Sequence, residues 1–199
     1  MKPVHVIEGE VRHRAKVANT LSAVGIPIEI YENLGELLGR APANGVILAS
    51  DDSGTVSCEN ILHSLQSHGT YLPVIMYSER PKPEQIVSAM LAGALDYLTW
   101  PIEPTAIESV FQKLDGAAAL KVERERKSIA AVQKIEALSK REVQVLRQVA
   151  QGLSNKGIAQ SLGISPRTVE IHRANALSKL NAQSTVDAVR IAIYAGLDD

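Results

Sequence analysis

Three helical patterns follow one another closely in Leu138–Leu180, and this segment constrains the fold more than any other part of the chain. Ser139 precedes the first pattern and Glu142 stands three residues later, which is the spacing of a capping box at a helix N-terminus. Gly163 separates the second pattern from the third, and Ser165-Pro166 opens the third as N-cap and first-turn proline. Two short helices joined through a glycine turn indicate a helix-turn-helix unit that binds DNA.

The same segment resembles a known class of DNA-binding domain. The residues LSKRE and GLSNKGIAQSLGISPRTVEIHRANALSKL are similar to the DNA-binding domain of LuxR/FixJ-type transcription regulators. The similarity extends over Leu138–Leu197. It implies an all-α domain of four helices, the third of which enters the major groove of double-stranded DNA.

The third helix, predicted over Pro166–Leu180, must bury one face and present the other to DNA. From helical spacing, the buried face is predicted to comprise Val169, Ala176, Leu177 and Leu180. By resemblance, Glu170, Ile171 and Ala174 occupy base-contacting positions, where a carboxylate accepts from cytosine and an aliphatic side chain packs on a thymine methyl. Arg173 is placed to reach a base or a phosphate. The predicted DNA-binding set is completed by Arg167 and by four residues at phosphate-contacting positions, Lys156, Thr168, His172 and Lys179.

In residues 1–115, five short apolar runs alternate with helical patterns. The predicted strands cover residues 4–7, 28–31, 46–49, 74–77 and 95–98. Strands that alternate with helices in this way predict a parallel sheet covered on both faces. A flavodoxin-like (βα)5 order is expected, with any functional site at the carboxyl ends of the strands. The fold class of the whole chain is therefore α/β followed by all-α.

This N-terminal half also carries a family resemblance, over roughly residues 3–115. The segment LPVIMYSERPKPEQIVSAMLAGALDYLTWPIEP is similar to the fourth and fifth strand region of response-regulator receiver domains. A receiver ahead of this helix-turn-helix is the domain order of FixJ/NarL-type response regulators. The resemblance implies a phosphoryl-accepting aspartate after the third strand and two Mg²⁺-binding acids after the first. It further implies a Ser or Thr after the fourth strand and a lysine after the fifth.

Several of these implied positions hold other residues in this chain. The two metal-binding positions fall on Glu8 and Gly9, and the acceptor position falls on Ser50. Ser78 keeps the hydroxyl, whereas Trp100 stands where the lysine is expected. The acceptor carboxylate, one metal-binding acid and the lysine are therefore missing. We expect an atypical, degenerate receiver that binds no metal and is not phosphorylated by the usual chemistry.

Two alternatives remain open for this pocket. Shifting the alignment would place Asp51 or Asp52 at the acceptor position, which would make the chain a phosphorylation-controlled regulator. Trp100 either fills the vacated acid pocket or lines a site for a partner or small molecule.

The predicted domain boundaries are 1–115 for the receiver-like domain, 116–136 for a helical linker and 137–199 for the DNA-binding domain. Good helix formers dominate the linker. It is interpreted either as a solvated helix of mixed charge or as a short coiled coil that pairs two subunits, continuous with the closing receiver helix.

The charge distribution separates the two halves. Residues 1–115 hold 8 Lys and Arg against 14 Asp and Glu, a net charge of −6. The net charge is +3 over residues 116–135 (5 against 2) and +2 over residues 136–199 (8 against 6). DNA binding is therefore expected of the C-terminal half, and the modest basic excess suggests that the protein binds as a homodimer.

Other function classes find little support in the composition. The sequence contains no catalytic constellation, so an enzyme is not expected, and no cofactor is implied. A lone cysteine, Cys58, and the lack of a long apolar run or signal peptide are typical of a cytoplasmic protein without a membrane span. The predicted function is sequence-specific transcription regulation within a two-component system, with a sensor kinase or another protein as a further partner. An interaction adaptor, whose helix-turn-helix contacts protein, is the remaining alternative.

Overall fold

A computed structural model describes residues 2–23, 25–52 and 56–197. The chain divides into two compact units, Met1–Glu123 and Arg124–Asp199. The boundary lies within one helix, and each unit is described by itself below. The domain limits predicted at residues 115 and 136 remain predictions.

Unit 1 alternates strands and helices throughout. Its strands are β1 (Val4–Ile7), β2 (Ile28–Tyr31), β3 (Val46–Ser50), β4 (Val74–Ser78) and β5 (Asp96–Thr99). Its helices are α1 (Val11–Ala23), α2 (Leu34–Arg40), α3 (Cys58–Ser67), α4 (Pro83–Ala92) and α5 (Pro104–Asp115). The strands are all parallel and ordered β2-β1-β3-β4-β5, which confirms the predicted flavodoxin-like sheet.

The sheet of unit 1 is buried on both faces. Val6, Leu48 and Ile75 point to one side, into a core shared with α1 and α5. Ile47 and Met76 point to the other side, into a core shared with α3. Because both faces are covered, β3 and β4 are mostly apolar, and β1 is apolar except for the buried His5. Since these strands are parallel, the carboxyl ends of β1, β3 and β4 meet at one edge of the sheet.

The linker forms a helix, α6 (Ala117–Glu136), as expected from its composition. It is not continuous with the closing helix of unit 1, because α5 ends at Asp115 and Gly116 adopts a non-helical conformation with φ −100° and ψ −132°. The interpretation of the linker as a coiled coil continuous with α5 is therefore wrong in its continuity. The pairing of two subunits through α6 remains a prediction.

Unit 2 contains four further helices, α7 (Lys140–Ala150), α8 (Asn155–Leu162), α9 (Pro166–Leu180) and α10 (Thr185–Tyr194). Each begins at a serine whose hydroxyl accepts from a backbone N–H three residues later, and the capping box between Ser139 and Glu142 is present. Gly163 closes α8 in the left-handed conformation, with φ 65°, and so makes the turn that leads into α9. Among the described residues, no helix is long and apolar enough to cross a membrane.

The core of unit 2 has two parts. Val145, Ile158 and Val169 pack α7, α8 and α9 together. Leu146 and Leu180 pack α7 and α9 against Ala188 and neighbouring residues of α10. The helix-turn-helix is therefore held from two sides, which leaves one face of α9 for other contacts.

Candidate nucleic-acid interface and receiver pocket

The face of α9 that was predicted to meet DNA is exposed. Arg167, Glu170, Ile171 and Ala174 are all solvent-exposed, and Ile171 retains 49% of its accessible surface. An aliphatic side chain exposed to this extent on a small domain is suited to contact with a thymine methyl. The prediction of the buried face is confirmed, because Val169, Ala176 and Leu180 are buried and Leu177 is half-buried.

Charged groups on the exposed face of α9 already interact with each other. The Arg167 guanidinium donates to a carboxylate oxygen of Glu170 at 3.0 Å, and both side chains are at least half exposed. Such a surface pair contributes little to stability. It can therefore separate when either partner meets a base or a phosphate.

The remaining predicted contacts differ in exposure. Lys156 is exposed near the start of α8, while Thr168 and His172 are half-buried in α9. The Thr168 hydroxyl lies 2.8 Å from that of Ser165, at the N-cap of α9. Lys156 is thus the most solvent-exposed of these three residues.

Arg173 is bound within unit 2. Its guanidinium donates to the side-chain oxygen of Asn155 at 2.6 Å and to the hydroxyl of Thr185 at 3.1 Å. These partners stand at the first residues of α8 and α10. A single planar fork of donors therefore joins α9 to the N-termini of two neighbouring helices. The sequence offered no signal for these two partners.

Lys179 also has an intramolecular partner. Its ammonium group lies 2.8 Å from a carboxylate oxygen of Glu142, whose side chain is only 5% exposed. The backbone N–H of Ser139 donates to the same oxygen at 2.7 Å. The hydrogen bond from Lys179, together with the donors of Ser139, lowers the pKa of Glu142 despite its burial.

The second site lies at the carboxyl end of the unit 1 sheet, where an acidic cleft of about 430 Å³ opens. Four of the predicted pocket positions converge near it. Glu8, Gly9 and Ser50 line the cleft together with Asp52, and Ser78 donates its hydroxyl to Asp52 at 2.5 Å. Ser50 is the last residue of β3 and is nearly buried, at 7% exposure.

Glu8 is held by groups that the sequence did not reveal. The hydroxyl of Tyr77 donates to Glu8 Oε2 at 2.5 Å, and the N–H of Glu10 donates to Glu8 Oε1 at 2.8 Å. Burial, reinforced by the hydrogen bond to Glu8, raises the pKa of Tyr77, so this hydroxyl remains a proton donor. His13 lies 3.9 Å from Glu8 Oε2 and 3.1 Å from Glu79.

Trp100 packs against this cluster. Its ring lies 6.4 Å from that of His13 and 6.1 Å from that of Tyr77, measured between centroids. The Trp100–Pro101 peptide bond is cis, and the backbone N–H of Trp100 donates to the backbone carbonyl of Ser78. The indole thus covers two side chains that approach Glu8.

The two alternative acceptors have different surroundings. Both carboxylate oxygens of Asp52 accept from the N–H of Glu79, at 3.2 and 3.0 Å, in addition to the bond from Ser78. Asp51 accepts instead from the hydroxyl of Tyr97 at 2.9 Å. Asp52 therefore shares the cleft with Glu8, whereas Asp51 lines a separate cavity beside α3 and α4.

The donor set does not fit the Mg²⁺ ion that a receiver resemblance implies. Gly9 supplies no side-chain ligand, and both oxygens of Glu8 are occupied by protein donors. Within the described ranges, no group of three or more His, Cys, Asp or Glu side chains has an arrangement that could hold a metal ion.

Comparison with known proteins places the chain in a family. Residues 136–192 match the family described as "Bacterial regulatory proteins, luxR family". The chain is 34% identical to the transcriptional regulatory protein FixJ of Azorhizobium caulinodans, over 98% of this chain and 93% of that protein. It belongs to the FixJ-type response regulators. FixJ of Rhizobium meliloti is likewise 34% identical, over 97% of this chain and 96% of its own length.

Solved structures of such regulators have the same domain content. Full-length FixJ from B. japonicum is 27% identical, with a TM-score of 0.51 and 98% of each chain covered. The response regulator StyR is 29% identical, also with a TM-score of 0.51, over 97% of this chain and 99% of that one. The present FixJ-type chain is thus a transcriptional response regulator with a receiver domain and a LuxR-type DNA-binding domain, and its family is not one of enzymes.

Proposed function

We propose that this regulator binds specific DNA sequences as a homodimer and that its receiver is not controlled by aspartyl phosphorylation. The observation that carries the second part is Ser50, which ends β3 and which the receiver resemblance assigns to the acceptor position. A serine hydroxyl has a pKa far above neutrality and lacks the carboxylate that forms an acyl phosphate. Gly9 and Trp100 at two further positions support the same conclusion.

For DNA recognition, we propose that Arg167, Glu170, Ile171 and Ala174 face the bases, because they form the exposed face of α9. Lys156, Thr168 and His172 are proposed to contact phosphates. For Arg173 and Lys179 we propose positioning roles, since their cationic groups are bound to Asn155 and Thr185 and to Glu142, respectively.

Selection of bound sequences from random double-stranded DNA tests the recognition proposal. One enriched motif, lost when Ile171 is changed to Ala or Glu170 to Gln, is the expected result. A motif composed of two related half-sites would match a homodimer with two-fold symmetry. The absence of any enriched motif would favour the adaptor instead.

Phosphorylation at Asp52 is the second candidate, and one observation favours it over Asp51. The Asp52 carboxylate lies in the same cleft as Glu8 and accepts from Ser78, the residue that the receiver resemblance assigns to phosphoryl binding. A histidine kinase would then be the partner. Against this candidate, both Asp52 oxygens already accept protein hydrogen bonds.

Intact-mass measurement after incubation with Mg²⁺ and acetyl phosphate separates the two candidates. Our proposal predicts an unchanged mass. Gain of one phosphoryl group that persists in Asp51→Asn but disappears in Asp52→Asn would instead establish Asp52 as the acceptor. The Ser50→Ala variant excludes a serine ester as the source of any added mass.

A further inference from the structure

A groove between α6 and α10 in unit 2 has an apolar floor. Ala131 is buried, at 4% exposure, and Ile191 and Tyr194 are half-buried beside it. The exposed Ala130 also lines the groove, which has a volume of about 310 Å³. Neither the predicted DNA contacts nor the receiver pocket involves these residues.

The rim of the α6–α10 groove is cationic. Lys127 and Lys134 stand seven residues apart on α6, two turns along one face, and Arg190 lies on α10. The Lys127 ammonium lies 6.0 Å from the centre of the Tyr194 ring. Arg190 donates to Asp187 at 2.8 Å, yet its side chain remains 67% exposed. None of the described residues that line the groove is acidic.

We propose that the α6–α10 groove docks an acidic amphipathic helix from a partner protein. A groove with an apolar floor between two helices can bind a third, amphipathic helix through the apolar face of that helix. Carboxylates on the flanks of that helix would meet Lys134 and Arg190. Charge complementarity of this kind favours encounter with acidic partners and disfavours basic ones.

Two other occupants fit the groove less well. A second copy that presents the same groove opposes Lys134 and Arg190 of one copy to the same two cations of the other, and like charges opposed across an interface disfavour association. A DNA duplex could neutralise the rim, but a phosphate backbone leaves Ala131, Ile191 and Tyr194 without an apolar partner. The proposal does not depend on whether the receiver is phosphorylated.

Fluorescence anisotropy with the full chain tests the proposal. The probe is a fluorescein-labelled peptide of about 14 residues, roughly four helical turns, with leucine on one face and glutamate on the other. Lys134→Glu combined with Arg190→Glu should weaken peptide binding at least about tenfold, a loss near 1.4 kcal/mol. Arg141→Glu combined with Arg147→Glu, at two exposed arginines of α7 outside the groove, reverses the same number of charges as a matched control and should leave binding unchanged. A second probe with lysine in place of glutamate should not bind.

Three outcomes would overturn the assignment. The first is absence of acidic-peptide binding, or binding that the double variant leaves intact. The second is an equal loss in the Arg141→Glu/Arg147→Glu control, which would indicate general charge attraction. The third is a loss of affinity for a random-sequence duplex, with a salt dependence flatter by about two units and peptide binding unchanged, which would assign the groove to DNA phosphates.

Discussion

The ion pair between Lys179 and Glu142 makes a prediction that separates two roles for Lys179. The sequence placed Lys179 at the DNA phosphates, whereas the structure bonds it to the nearly buried Glu142 at 2.8 Å. Lys179→Met keeps most of the aliphatic stem but removes the ammonium. Glu142 then retains the backbone N–H donor of Ser139 and loses its only charged partner among those described for it.

The expected loss of stability follows from the exposure of the two groups. A hydrogen bond to a charged group contributes roughly 1.5–3 kcal/mol when it is well desolvated. Because Lys179 is 44% exposed, solvent screening reduces this to about 1–2 kcal/mol. A loss of that size changes the ratio of folded to unfolded molecules by a factor of about 5–30.

Hydrogen exchange of peptides from α7 and α9, measured by mass spectrometry on the full chain, reads this loss locally. Protection in both helices should fall by about 5–30-fold in Lys179→Met. Lys140→Met, at the exposed first residue of α7, is the control and should change protection little. Glu142→Gln combined with Lys179→Met should lose less than the sum of the single variants, because both changes remove one interaction.

The difference in stability between the wild-type chain and Lys179→Met should depend on pH, and the sign of this dependence follows from the pKa of Glu142. The pKa of Glu142 is lowered in the folded state, chiefly by the hydrogen bond from Lys179. The stabilisation is therefore fully present above the ordinary glutamate pKa of 4.5 and is lost as the pH falls through the lower folded value. The positioning role is refuted if Lys179→Met leaves protection unchanged while flattening the salt dependence of DNA binding by about one unit.

Three further predictions concern single residues. Arg173→Ala should weaken binding to every DNA sequence without changing the preferred motif, because the change removes the hydrogen bonds to Asn155 and Thr185 and not a contact with a base. A relaxed preference at one position in a selection experiment would instead show that Arg173 contacts a base. Cys58, buried and with a pKa raised to about 11 by that burial, should resist iodoacetamide at neutral pH until the chain is denatured, and rapid labelling of the native protein would contradict its placement. Ser139→Ala removes the N-cap of α7 and should cost about 0.5–2 kcal/mol in denaturant unfolding, whereas an unchanged midpoint would show that the cap contributes nothing.

The receiver pocket bears on how the DNA-binding domain is controlled. The carboxylate of Asp52 accepts from the Ser78 hydroxyl and the Glu79 N–H. These bonds tie the segment after β3 to the segment after β4. If aspartyl phosphorylation is absent, as we propose, control of the regulator depends on its concentration, its dimerisation or a protein partner.

Local signals explain why so much of the fold could be predicted. The caps at Ser139, Ser154 and Ser165 each use a backbone N–H three residues along the chain, so the interacting groups lie within one short window of sequence. The central strands β3 and β4 could be recognised because burial on both faces makes most of their residues apolar. The exposed face of α9 followed from helical periodicity in the same way.

Contacts between residues distant in sequence were decided only by the tertiary structure. The partners of Glu8, Asp52 and Lys179 are 69, 26 and 37 residues away, respectively. Which side chains meet depends on the order of the parallel strands and on how the helices pack, and no local pattern encodes either. The sequence alone therefore determined the combination of a receiver with a LuxR-type helix-turn-helix, whereas the departures at Ser50 and Trp100 stay predictions. Only the tertiary structure showed that Arg173 and Lys179 form hydrogen bonds within the protein. A cationic side chain forms such a bond only when folding brings an acceptor within hydrogen-bonding distance.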